Sequence, residues 1–287
     1  MESFIDIVLQ RIKRDASQAP PPWSFTETIP VTHWKWIQKE CQADSDFDTL
    51  RLRQRILTHP KKQTLYATCP YGSVVVCADD NVIPLQDIPW DLWGRILRLF
   101  YKKQPFTIYL LASSSLRVFP SHFSPIRPQN INGGYTYPCR PDTIVLYRAE
   151  DATRVLIHEL QHASCLDHPE RGIDRVEAET EAWAELFYTV LLAKGDPAVW
   201  KRLWARQWKW IRHQNQRVAR HMRSPLSKEF PWRYTLGKEE VIRSWFPASY
   251  LPSSPDSQGP SVSLRLTVPP TTQQKREQGV RPSSTIL

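Results

Sequence analysis

The stretch V-L-I-H-E-L-Q-H, residues 155–162, is the one whose reading decides the most. His158 and His162 stand four residues apart, so on a helix both imidazoles project from one face. Two neutral imidazoles at that spacing can share one tetrahedral zinc ion. Glu159, beside the first histidine, is placed as a general base that takes a proton from water attacking a carbonyl. Val155, Leu156, Ile157 and Leu160 are apolar, so the helix is buried around its polar side chains. Burying two histidines and a glutamate without partners is costly, which argues for a ligand. The alternative is a core helix whose histidines are satisfied by protein groups.

Working outward, T-I-V-L-Y-R (143–148) reads as a strand just before this helix, and the helix itself as 150–166. Further upstream, residues 2–15, 46–58 and 89–102 show helical spacing. Q-T-L-Y-A-T-C (63–69) and G-S-V-V-V-C-A (72–78) read as a strand pair, and T-I-Y-L-L-A-S (107–113) as another strand. Residues 114–141 are rich in Pro and carry Gly133-Gly134, so they read as loop. Downstream, 174–194, 197–222 and 237–246 read as helices, the second opened by Asp196-Pro197. Strands first and helices later indicate an α+β domain.

Candidates for a third metal ligand lie in V-E-A-E-T-E-A-W-A-E-L, residues 176–186. Glu177, Glu181 and Glu185 repeat every four residues along one helix face, among mostly apolar neighbours. H-E-x-x-H, a gap of 18 residues and then T-E-A-W-A-E resemble the gluzincin zinc peptidases, especially their aminopeptidase branch. The resemblance implies a zincin-like fold, with a small N-terminal mixed sheet followed by the active-site helix and C-terminal helices. It implies a zinc cofactor, a peptide or protein substrate and Glu181 as third ligand. Glu177 and Glu185 would then orient a histidine from behind. The aminopeptidase recognition motif G-x-M-E-N is absent, which leaves both exo- and endo-action open. His168 is the competing ligand, because H-E-L-Q-H-A-S-C-L-D-H sets it where metzincins set their third histidine. Metzincins place Gly where this chain has Cys165, which would be strained at positive φ. Glu181 is therefore preferred over His168.

A second resemblance reaches upstream. I-N-G-G-Y-T (131–136), the strand T-I-V-L-Y-R with Glu150 after it, and the H-E helix together look like a group of metallopeptidase-like proteins of large DNA viruses. It covers about residues 107–190. In the zincin reading, 143–148 is the edge strand above the cleft, to which a peptide adds by backbone hydrogen bonds. Tyr135, Tyr137, Arg148, His213 and Tyr234 are all candidate oxyanion donors.

The rest of the chain bounds the reading. Its 287 residues, 41% apolar and 23% charged, exclude a wholly disordered, collagenous or coiled-coil protein. No apolar run reaches a membrane-spanning length and the N-terminus lacks the order of a secretory leader, so the expectation is an intracellular protein. The viral resemblance adds the virion as an alternative place. The five cysteines are odd in number and without ligand spacing, and point to a reducing compartment. Cys139 and Cys165, near the motif, read as ordinary buried thiols.

Of the net charge of +9, residues 195–250 supply +8, from 12 Lys/Arg against 4 Asp/Glu. There, Trp200, Trp204, Trp208, Leu203 and Ile211 form one apolar stripe among Lys201, Arg202, Arg206, Lys209, Arg212, Arg217, Arg220 and Arg223. The simpler reading is a core helix with a solvated basic face. The alternative is an anionic partner at 197–223, a nucleic acid or a membrane surface. Residues 1–248 are read as one metallopeptidase domain, divided into an N-terminal part (1–105), a catalytic core (106–195) and a basic helical part (196–248). Residues 249–287 are read as a disordered Pro/Ser-rich tail. The terminal S-T-I-L fits a PDZ-type ligand. A non-enzymatic zincin-like scaffold is the rival to the enzyme.

Overall fold

The computed structural model describes residues 3–79, 88–121, 124–224, 227–251 and 263–269. Helix α1 (Phe4–Ala16) opens the chain, and Ser3 and Asp6 satisfy each other's backbone amides in a capping box. Strand β1 (Ser24–Thr26), helices α2 (Val31–Gln42) and α3 (Leu52–Thr58), and the hairpin β2 (Gln63–Cys69) and β3 (Gly72–Ala78) follow. Then come α4 (Trp90–Phe100), β4 (Phe106–Ala112), the single turn α5 (Pro128–Ile131), β5 (Gly134–Thr136) and β6 (Ile144–Leu146). The later chain is helical: α6 (Ala152–Ala163), α7 (Ile173–Leu192), α8 (Pro197–Ala219) and α9 (Leu236–Trp245).

The strands form one mixed six-stranded sheet in the order β1-β2-β3-β4-β6-β5. β3, β4 and β6 are parallel, and the other pairings are antiparallel. The period of two divides its side chains between two cores. Val74, Val76, Ile108, Leu110, Ile144 and Leu146 face the larger core, with α1, α4 and α6 to α9. Val75, Cys77, Tyr109, Leu111 and Val145 face a smaller core under α2 and α3. The architecture is mixed α/β, with the histidine helix packed on the sheet directly after β6. Among the described residues, no helix is long and apolar enough to cross a membrane.

The structure corrects several expectations. Residues 143–148 are not the edge of the sheet, because β6 lies between β4 and β5. The edge on this side is β5, hidden in the Pro-rich stretch because it is only three residues long. Gly134 makes this return possible. A Cβ there would lie 2.8 Å from both Val145 O and Val155 Cγ1, so only glycine lets β5 sit against β6 and α6. The helix expected over 46–58 begins at Leu52, since the Asp48 carboxylate accepts the Leu52 and Arg53 amides at 2.9 and 3.0 Å. Helix α2 was not anticipated, although Ile37 and Cys41 repeat on its buried face.

Cys139 and Cys165 are not free thiols but form a disulfide, with Cα atoms 4.7 Å apart. This removes the ground for reading all five cysteines as reduced. Cys41, Cys69 and Cys77 are free. Cys165 also takes the positive φ (54°) thought too strained for it. It does so as the residue that ends α6: its amide donates to His162 O, and the Leu166 amide to Gln161 O, both at 3.1 Å. That pair of bonds satisfies two orphan carbonyls of the helix and offsets the local strain.

The tail expected to be disordered from 249 onward is packed over 263–269. Leu264 is fully buried, and Leu266 and Thr267 nearly so. Side chains of α8 capture its backbone: Trp210 Nε1 and Gln214 Nε2 each donate to Arg265 O at 2.9 Å, and Gln207 Oε1 accepts the Val268 amide at 3.0 Å. The terminal S-T-I-L lies outside the described residues.

Candidate metal centre

Helices α6 and α7 each carry a polar stripe with a repeat of four. On α6 it is Arg154, His158 and His162, and on α7 Glu177, Glu181 and Glu185. Spacing of four keeps each stripe on one face, and the two stripes meet as a ladder inside the protein. Arg154 Nη1 and Nη2 donate to the two Glu181 oxygens at 2.8 Å each. His158 Nδ1 lies 3.1 Å from Glu181 Oε1. At the far end, Glu177 reaches both histidines, at 3.5 Å from His158 Nε2 and 3.8 Å from His162 Nε2. All six side chains are buried except that of Glu177, which is 16% exposed.

The two Nε2 atoms face each other at 3.0 Å. His162 Nδ1 donates to the Asp167 carboxylate, at 2.8 and 2.9 Å. Each imidazole therefore turns one nitrogen to a carboxylate and the other toward its neighbour. With the ring protons on Nδ1, two lone pairs converge beside the Glu177 carboxylate. A cation fits there, either a metal ion or the proton that makes His158 an imidazolium. The ligand atoms of His158, His162 and Glu177 lie within 4.8 Å of one another, and these three residues could hold a metal ion.

The carboxylates are distributed differently from the expectation. Glu177, expected behind a histidine, shares the Nε2 side. Glu181, expected as third ligand, stands behind His158 and is engaged by Arg154. Glu185 touches neither histidine; it accepts from Lys238 Nζ at 3.0 Å and from Thr267 Oγ1 at 3.0 Å. His168 is exposed beside Glu170, outside the cluster.

The electrostatics follow from burial and charge. Burial opposes the charged form of His158, but the Glu177 and Glu181 carboxylates override it and push its pKa up to about 10. Burial would raise Glu181, yet Arg154 and His158 hold it below the usual carboxylate range. Burial pushes Glu159 up to about 7, against the pull of the two imidazoles. Glu159, 5% exposed, lines a cavity of about 420 Å³ with the two histidines, Glu177 and Tyr234. Phe47, Ile131, Ile173, Val176, Phe230 and Leu266 supply its apolar walls.

Of the candidate donors, the Tyr135 hydroxyl is taken by Glu40 and Arg53. Arg148 is spent on four backbone carbonyls, those of Asn132, Ser115, Leu116 and Gln129. Tyr137 is half exposed, and His213 lies on α8, away from the residues that line the cavity. Tyr234 lines the cavity, and burial holds its hydroxyl protonated well above the ordinary phenol range. The tryptophan stripe of α8 lies in the core, with Trp200, Trp204, Trp208 and Ile211 at most 1% exposed. Arg206 and Arg217 on that helix donate to the carbonyls of Pro269 and Ser263.

Sequence reasoning missed Arg154, Asp167, Lys238 and Thr267. Arg154 had a signal, since it continues the i, i+4 row of the histidines opposite a row of carboxylates. The other three come from a loop, a separate helix and the tail, and had none. Comparisons of the chain with protein-family models, with curated proteins and with solved structures found no match.

Proposed function

We propose that the protein is a zinc-dependent peptidase of zincin type, its zinc held by His158, His162 and Glu177. The observation that carries this is the pair of converging Nε2 atoms beside Glu177, with Asp167 hydrogen-bonded to the outer nitrogen of His162 and the Glu181 carboxylate 3.1 Å from that of His158. Two imidazoles and a carboxylate are a donor set that zinc takes in catalytic sites, and carboxylates behind the histidines fix their tautomers. When bound, zinc supplies Lewis acidity that polarises a carbonyl and makes water a nucleophile near neutral pH.

The chain's own residues do the rest. Glu159 accepts the proton of the attacking water and passes it to the leaving amine, and its raised pKa suits both transfers. Tyr234 donates its hydroxyl proton in a hydrogen bond to the developing oxyanion. The substrate is an extended peptide: Gly133, Gly134 and Thr136 line the cavity, and the outer edge of β5 can pair with a strand.

Metal analysis of purified wild type, His162→Ala, Glu177→Ala and Glu181→Ala tests the site. The expected result is about one zinc per chain in wild type, lost in the first two variants and bound more weakly in the third. Absence of zinc from wild type after reconstitution overturns the reading. Cleavage of a peptide library then tests the activity. Glu159→Gln should keep its zinc and lose hydrolysis by a factor of about 10²–10⁴. Zinc-loaded wild type that cleaves nothing would leave a metal-holding scaffold instead.

A further inference from the structure

The segment 263–269 belongs to the centre although it begins 86 residues after Glu177, the nearest ligand in sequence. It runs over one end of the polar ladder. Its start is paired with the loop after β4, through a bridge between Ser263 and Val118 and a bond from the Leu264 amide to Arg117 O at 3.0 Å. Arg265 makes an ion pair with Asp151, the residue that begins α6 with a positive φ of 60°. Leu266 forms part of the cavity wall. Thr267, 1% exposed, is placed between the two stripes.

The Thr267 hydroxyl has two tasks. It donates to the Glu185 carboxylate, at 3.0 and 3.2 Å, and accepts from Arg154 Nε at 3.2 Å. Arg154 is a planar fork. With Nε fixed on Thr267, its two Nη atoms are aimed at the two Glu181 oxygens. Glu181 in turn lies against His158 Nδ1. An unbroken chain of buried polar contacts thus leads from Thr267 through Arg154 and Glu181 to His158, and each member limits the freedom of the next.

We propose that Thr267 is a positioning residue for the metal centre, setting the orientation of His158 through Arg154 and Glu181. This rests on the zinc reading given above. Thr267→Val keeps the shape of the side chain and removes both hydrogen bonds. Thr267→Ser restores the hydroxyl and keeps them.

The test uses the full chain and zinc alone as the probe, with affinity measured by competition against a chromogenic chelator. Cobalt(II) absorption spectra report the ligand geometry. Thr267→Val should bind zinc about tenfold more weakly than wild type, in the range found for residues that orient a metal ligand. Its cobalt spectrum should shift, and Thr267→Ser should return to within about twofold of wild type. Thermal unfolding of the metal-free proteins checks that each variant folds. Should Thr267→Val fail to fold, Arg265→Gln loosens the same segment without touching the ladder, and should weaken zinc by about threefold. Wild-type affinity in a folded Thr267→Val, or in Arg265→Gln where that variant carries the test, overturns the proposal while leaving the zinc site standing. A wild type that binds no zinc removes both.

Discussion

Helices α6 and α7 on one side, and α8 on the other, bury stripes with the same repeat and opposite chemistry. The first pair buries a ladder of two histidines, two cations and three carboxylates, counting Lys238 from α9. The second buries Trp200, Trp204 and Trp208, whose indole Nε1 atoms are buried without a hydrogen-bond partner. The tryptophans hold the fold mainly by area and contact, with Arg243 over the Trp208 ring, and leave polar groups unsatisfied to do so. The ladder does the reverse. Each buried ion gives up hydration, and well-packed apolar residues would hold two helices together at least as well. A buried ion ladder is weak evidence for stability beside such a tryptophan core, and its charges fit the task proposed above.

That contrast is sharpest when one residue is removed from each region. Trp204→Ala and Glu181→Gln should each lower folding stability by about 3–5 kcal/mol, the first through a cavity and the second by leaving Arg154 and Lys238 under-compensated. Their zinc affinities should separate them. Glu181→Gln weakens zinc by about 10–100-fold, and Trp204→Ala leaves the folded fraction at wild-type affinity. Urea unfolding and chelator competition measure both. Equal zinc losses in the two variants would show that the regions act as one unit and would break the comparison.

Next in size is the disulfide, which joins the loop after β5 to the end of α6 over a separation of 26 residues. Cys139→Ser should cost about 3 kcal/mol, the stabilisation expected for a closed loop of this length. The denatured, unreduced wild type should titrate only the thiols of Cys41, Cys69 and Cys77. Five reactive thiols would mean that the bridge does not form. Gly134→Ala tests the edge strand instead. Its Cβ meets the Val145 carbonyl and the Val155 side chain, and overpacking of this kind costs about 1–3 kcal/mol. In the proposed peptidase, hydrolysis should fall with it, because β5 must shift away from α6.

Helices α6, α7 and α8 were readable to within three residues at each end because strong periodicity coincides with clear punctuation, such as the Asp196 carboxylate that opens α8 by accepting the Val199 amide at 2.8 Å. The roles of the three glutamates were not readable. Spacing of four puts all of them on one face, and only the register of α7 against α6 decides that Glu177 meets both Nε2 atoms. β5 escaped because three residues cannot show a period, and because Gly133-Gly134 reads as a turn until the strand beside it is known. The packed segment escaped for a different reason. L-R-L-T-V (264–268) is apolar enough to be buried, but it sits in a Pro- and Ser-rich stretch whose average composition conceals it. Its partners Gln207, Trp210 and Gln214 lie on a helix whose other positions already explained themselves as core or as basic surface.

The smallest effect concerns that basic surface. Arg206 and Arg217 are engaged by the carbonyls of the packed segment, so the positive charge of α8 is partly structural. Arg202 and Arg220 are exposed and remain the test of an anionic partner. Replacing both by Ala should change folding stability by no more than about 0.5 kcal/mol, because both side chains are exposed and Arg220 caps α8 through its backbone amide alone. Zinc affinity should stay at the wild-type level. Retention on heparin separates two uses of the helix. If this face binds phosphates, the double variant elutes at lower salt, and the salt dependence of binding to a DNA duplex loses close to one unit of slope for each contact removed. If elution and slope are unchanged, Arg202 and Arg220 touch no anion and this face of the helix is not a phosphate-binding surface. Helix α8 then contributes its tryptophans to the core and its polar side chains to the segment proposed above to steady the candidate metal centre.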